Sequence, residues 1–347
     1  MKKIRKFLPK VLSMVMLAAL LSGCGSNSDS QDTSSGDDTD SAAETYEITM
    51  TSFDSASTVA CQLGTMFADL VSEKSDGRIK INFYTDATLG NETEQYDLIK
   101  SGEIQICYFA DSFGSQIASG YDPTIIPFLF TSIEDVEAVF DSSLGESIEN
   151  AAYENGNVRL LGLSRRSPRL LTASKEITSP EELSGLKLRV PEIQAWVTVW
   201  NSMGANCTVV SWSETYSALQ TGVVDGQENP IDNIYANKIY EVNKYIMQTE
   251  HLQSVNHWCV NADFWDAMDS ADQEILTSCF QEAAEWANNA LDELNEQYLD
   301  EILADGTVSY VPVDKALFQE AAADGIEAVM ETLQPEAQEY ISDYLAG

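Results

Sequence analysis

Lysine and arginine are scarce in this chain: 19 among 347 residues, against 56 aspartates and glutamates, for a formal net charge of −37 at pH 7. Such a balance repels phosphate backbones and anionic lipid surfaces, which excludes nucleic acid as a partner. The usual tools of catalysis are missing too. There is no GxxxxGK[ST] phosphate loop and no GxSxG elbow, and neither of the two histidines, His251 and His257, sits in an HExxH pattern. Acidic pairs such as Glu181-Glu182 are expected by chance at this acid content and read as solvated surface. Five cysteines besides Cys24 are widely spaced with no CxxC pair, so Cys61, Cys107, Cys207, Cys259 and Cys279 read as small buried hydrophobes, with no metal site and no disulfide framework. Nothing implies a cofactor, and the chain is not expected to be an enzyme.

What is present begins with an export pattern. Lys2, Lys3, Arg5, Lys6 and Lys10 precede an apolar stretch, Val11 to Leu21, that is too short for a permanent span. Leu21-Ser22-Gly23-Cys24 resembles a bacterial lipobox, with cleavage before Cys24 and acylation of its thiol. Residues 1–23 are expected to be a lipoprotein signal peptide and 24–44 a disordered tether, with the membrane reached through the Cys24 lipid alone. Removing 1–23 takes five of the basic residues and none of the acidic ones, leaving a net −42.

From Tyr46 the pattern alternates between strand and helix. Tyr46 to Thr51, Ile79 to Phe83 and Ile104 to Phe109 read as strands, and Ala56 to Ser75 and Glu92 to Ser101 as helices, the βαβαβ opening of an open α/β sheet. A second α/β region follows. Val158 to Leu163, Arg169 to Thr172, Leu186 to Val190 and Cys207 to Val210 read as strands. Pro180 to Leu183, Glu192 to Met203 and Ser213 to Thr221 read as helices. Asn229-Pro230 opens a further helix to about Val242. Ser270 to Ala304 holds no Gly or Pro and keeps apolar residues at helical spacing, which predicts one helix long enough to brace two lobes.

Because arginine is scarce, its positions carry information. Gly185-Leu-Lys-Leu-Arg-Val-Pro191 alternates, and Pro191 ends the pairing, so Arg189 falls at the carboxyl end of its strand. In open α/β sheets that end faces the ligand crevice. A helix starting near Glu192 would aim its first amides at the same space, and the guanidinium fork suits a carboxylate. A surface ion pair is the competing role for Arg189.

The segments LKLRVP, GANCTVVSWSETYSALQTGVVDGQENP and NKIYEVNKYI, with PFLF at Pro127 to Phe130 and RLLTAS at Arg169 to Ser174, closely resemble the solute-binding subunit of TRAP (tripartite ATP-independent periplasmic) transporters, the DctP family. The resemblance runs from about Tyr46 to the C-terminus. It implies a two-lobed, periplasmic-binding-protein-like (Venus-flytrap) α/β fold with hinge strands and a long helix spanning both lobes. Lobe I would be 45–167 with about 252–290 returning to it, and lobe II 168–251 with about 291–347. It also implies capture of a small organic acid and delivery to membrane permease subunits driven by an ion gradient.

Carried over by position, the family's selectivity arginine is matched by Arg189, its second arginine by Arg169, the amide of its GQEN run by Asn229, and the aromatic before its SE.Y run by Trp212. In the first lobe the resemblance points to Glu92 and Asp111, with Ala110 as the alternative to Asp111 and surface exposure as the alternative role for both. Asn229 before Pro230 also fits a helix N-cap, and Trp212 also fits the core. Two departures bear on the ligand: Cys207 replaces the usual proline, and no arginine follows Asp111 closely. A polyhydroxy monocarboxylate such as a uronate is therefore expected ahead of a C4-dicarboxylate. An exported hydrolase acting on sugar acids is the remote alternative, as is a structural lipoprotein.

Overall fold

A computed structural model describes residues 44–346. The signal peptide, Cys24 and all of the tether but Glu44 lie outside the described residues.

The first sheet contains β1 (Tyr46–Thr51), β2 (Ile79–Tyr84), β3 (Ile106–Phe109), β4 (Val158–Arg165) and β10 (Val255–Asn261), in the order β2-β1-β3-β10-β4. β1 pairs in parallel with β2 and β3, and β10 runs antiparallel to β3 and β4. The second sheet contains β5 (Leu170–Ala173), β6 (Lys187–Val190), β7 (Asn206–Val209), β8 (Gly226–Asn229), β9 (Tyr245–Met247) and β11 (Ser309–Val311), in the order β11-β9-β5-β8-β6-β7.

Local chemistry accounts for the elements that matter to the site. The helix Glu92–Ser101 starts on a capping box between Asn91 and Glu94 and stops at Gly102, whose φ of 80° is the left-handed conformation that glycine adopts without strain. Val59–Lys74 is capped by Thr58 and buries Val59, Leu63, Phe67 and Val71 along one face against the first sheet.

The chain passes between the sheets twice in segments that are neither helix nor strand, from β4 to β5 and from β9 to β10. The two crossings run side by side: the Arg166 amide donates to the Ser254 carbonyl at 3.1 Å, and the Arg169 amide to the Leu252 carbonyl at 3.0 Å. The third passage is the helix Ser270–Leu303, whose 34 residues span about 50 Å. Leu276, Phe280, Ala283 and Leu291 pack with the first sheet's core, while Ile302 packs with Leu170, Ile231 and Ile234 behind the second. The fold is the two-lobed α/β architecture expected, and the long helix braces both lobes.

Three local readings differ. Gly226–Asn229, not among the strands read from the sequence, is a fully buried strand lying between β5 and β6. The helix expected from Asn229 to Val242 is two short ones, Ile231–Ala236 and Ile239–Val242, broken at Lys238 with φ 54°. The last helix, Pro335–Ala346, packs on the first lobe's helix Ser143–Gly156, and Tyr344 donates to Asp135 at 3.1 Å, whereas the sequence reading assigned 291–347 to the second lobe. The five cysteines are free; four are buried, and Cys207 on the edge strand β7 is half-buried.

Candidate functional site

A cavity of about 330 Å³ opens between the lobes. The first lobe contributes Phe53, Ser112 and the start of the helix Glu92–Ser101; the second contributes Arg189, Pro191 and the turn Val210-Ser211-Trp212 that opens the helix Trp212–Gln220. A narrower extension reaches inward to Asp111, Arg166, Arg169 and Asn229.

Arg189 lies on β6, one residue before its end, and is 3% exposed. Its Nε donates to the Val210 carbonyl at 2.8 Å, and its guanidinium carbon stands 5.5 Å from the centroid of the Trp212 ring. Among the described residues it makes no ion pair with a carboxylate. Burial lowers its pKa to about 10, with the nearby Arg169 charge adding to the effect and Glu228 and Glu92 opposing it, so it stays charged at neutral pH. A buried guanidinium without a counter-ion is costly to fold, and it faces a space where a counter-ion fits. The helix expected from Glu192 begins at Gln194, leaving Pro191, Glu192 and Ile193 as a turn beside the two cavities.

Arg169 reaches the extension in a different state. Its Nε and Nη2 hold the two carboxylate oxygens of Glu228 at 2.6 and 3.0 Å, Nη1 donates to Asp111 at 3.0 Å, and Nη2 also donates to Asn229 Oδ1 at 3.0 Å. Its guanidinium carbon lies 4.6 Å from the centroid of the Trp196 ring. Burial alone would raise the Glu228 carboxyl, but Arg169 and the His251 ring outweigh it and hold the pKa at about 2. Arg169 is thus already neutralised by the protein. Asp111 is shared: Arg166 Nη1 donates to the same oxygen at 2.7 Å.

The remaining expected residues also line these cavities. Asn229 donates to Gln227 at 2.6 Å, and it is not a helix cap, since Pro230 occupies the cap position of Ile231–Ala236. Glu92 accepts a short hydrogen bond from the Ser112 hydroxyl; burial, reinforced by Asp54 and Asp111, raises its pKa to about 7. Trp212 borders both spaces, as does Phe53. Sequence reasoning passed over Phe53, Ser112 and Arg166. Arg166 carried a signal, since Arg165, Arg166 and Arg169 form an arginine cluster in a chain poor in arginine.

Residues 50–333 match the family model DctP, bacterial extracellular solute-binding protein, family 7. The chain belongs to this family. A solute-binding protein of Roseobacter denitrificans is 31% identical over 278 residues, 80% of this chain and 85% of that one. The sialic acid-binding periplasmic protein SiaP of Vibrio cholerae is 29% identical over 63% of this chain and 68% of its own length. The crystal structure of a Roseobacter denitrificans TRAP periplasmic solute-binding protein with bound L-galactonate superimposes with a TM-score of 0.79 at 27% identity, covering 86% of this chain and 98% of that one. A Sulfitobacter protein with bound β-D-galacturonate gives 0.80 at 25% identity, covering 85% and 98%.

The DctP family chain described here is therefore a TRAP solute-binding protein, a binding subunit and not an enzyme. Such proteins are extracytoplasmic, bind small organic acids and work with membrane permease subunits.

Proposed function

We propose that this TRAP solute-binding protein captures a sugar acid, a polyhydroxy monocarboxylate such as a uronate, with the ligand carboxylate held by Arg189. The observation that carries the reading is the buried Arg189 guanidinium facing the cavity without a protein carboxylate to neutralise it. A ligand carboxylate supplies the missing charge and accepts the free N–H groups in parallel.

The rest of the ligand meets hydroxyl-reading groups. Glu92 and Ser112 face the cavity from the first lobe and Ser211 and Ser213 from the second. Among the described residues lining the main cavity, Arg189 is the single lysine or arginine, and Arg166 and Arg169 behind it are engaged by Asp111 and Glu228. A second ligand carboxylate would find acids where it needs cations, which places C4-dicarboxylates behind sugar acids. L-galactonate and β-D-galacturonate in the two related structures support the same class. Arg169, Asp111 and Asn229 take the role of a fixed polar floor, and closure of the lobes about 166–169 and 248–254 brings both walls onto the ligand.

A thermal-shift screen over uronates, aldonates and C4-dicarboxylates tests the reading. Sugar acids should raise the melting temperature; a response to succinate, malate or fumarate alone would refute it. We also propose that acylated Cys24 tethers the protein to the outer face of the membrane. Replacing Cys24 with serine should then release it to the soluble fraction, and continued membrane retention would contradict the tether.

A further inference from the structure

Phe53 follows β1 on the first lobe, is buried, and borders both the main cavity and its extension, as Trp212 does from the second lobe. Its ring lies flat on Tyr108, with centroids 5.6 Å apart and planes 14° apart. Tyr108 is itself fixed, its hydroxyl standing 3.0 Å from an Asp54 carboxylate oxygen and 3.0 Å from the Asn256 amide oxygen. Phe53 is thus a rigid wall. Trp212 is oriented from its own side by the Arg189 guanidinium 5.5 Å from its ring centroid. The space beside that guanidinium is bordered by one aromatic from each lobe, with Glu92 and Ser112 at its rim.

The geometry points to Phe53 and Trp212 as the residues that select the ring form of the ligand: a pyranuronate is accepted ahead of the open-chain aldonate of the same carbon number. This rests on the sugar-acid reading above and deepens it. A chair-form ring presents a continuous C–H face and projects its hydroxyls outward at the edge. It can lie on an aromatic while its hydroxyls reach polar partners. An open-chain acid carries hydroxyls on every carbon of a flexible backbone. Pressed against the same rings, it strips water from hydroxyls that gain no partner, and it gives up several free torsions on binding.

Calorimetric titration of the full chain with D-galacturonate against D-galactonate, and with D-glucuronate against D-gluconate, tests the proposal. In at least one pair the uronate should bind more tightly by about tenfold. Phe53→Leu and Trp212→Leu should each narrow that ratio mainly by weakening the uronate, with melting curves confirming folded protein; the half-buried Trp212 position keeps the test alive should the buried Phe53 change disturb folding. Equal affinities, or a preference for the aldonate in both pairs, would overturn ring selection while leaving the sugar-acid reading standing. A pair of variants that weaken uronate and aldonate alike would likewise remove the aromatic walls as the selecting groups. Failure of all four acids to bind, with succinate or malate bound instead, would overturn the sugar-acid reading and this inference with it.

Discussion

Arg169 and Glu228 face each other as a two-pronged buried pair, Nε 2.6 Å from Oε2 and Nη2 3.0 Å from Oε1, with Glu228 fully buried. His251 closes the other side of Glu228 at 3.1 Å. Glu228→Gln leaves the guanidinium with Asp111 as its remaining carboxylate partner and should lower stability by about 3–5 kcal/mol, read by denaturant unfolding. The Glu228 carboxyl, near pH 2 in the folded chain, sits below its ordinary 4.5, so its contribution is present above about pH 4.5 and is lost as the pH falls toward 2. The gap between the variant and the unaltered chain should shrink over that window. A gap constant down to about pH 2 would contradict the pairing.

Glu92 has the opposite sign. Its folded pKa of about 7 lies above the ordinary 4.5, so folding favours the neutral form and the side chain costs stability increasingly as the pH rises through about 7. Without ligand, Glu92→Gln and the unaltered chain should melt together near about pH 4, with the variant melting higher above about pH 8. A variant that melts lower at the alkaline end would place Glu92 in a favourable ionised contact instead.

On the proposed reading, Arg189 is a stability cost retained for binding. Arg189→Met removes a buried charge that has no carboxylate partner among the described residues, so the ligand-free variant should melt at or above the temperature of the unaltered chain while losing its response to sugar acids. A marked drop in melting temperature would mean that Arg189 is structural.

With a net charge of −37, the protein repels itself and its anionic ligand at long range. Raising ionic strength from about 0.01 M to about 0.15 M shortens the screening length from about 30 Å to about 8 Å. The melting temperature and the ligand association rate should both rise over that interval, measured by calorimetry and stopped flow. An association rate that falls with salt would show that the cationic cleft dominates steering.

Much of this was legible in the sequence where local rules act. Helical spacing marked Glu92 to Ser101 as a helix, and Pro191 marked the end of Arg189's strand. Gly226–Asn229 was not legible as an interior strand, because Gly, Gln, Glu and Asn carry no apolar alternation. They are buried only because Thr172, Arg169 and His251, distant in sequence, supply their partners. For the same reason nothing local reveals that Glu228 and Asp111 hold Arg169. Phe53 carried no pattern at all, since its place at the cavity wall follows from β1 ending beside β2 and β3.

The central claim is that Arg189 grips the ligand's carboxylate in the cleft between the lobes. Calorimetric titration of D-galacturonate into the unaltered chain and into Arg189→Ala tests it most directly. Loss of one arginine from a desolvated charge pair should weaken binding by roughly two to four decades. Equal affinity in the two proteins would contradict the account.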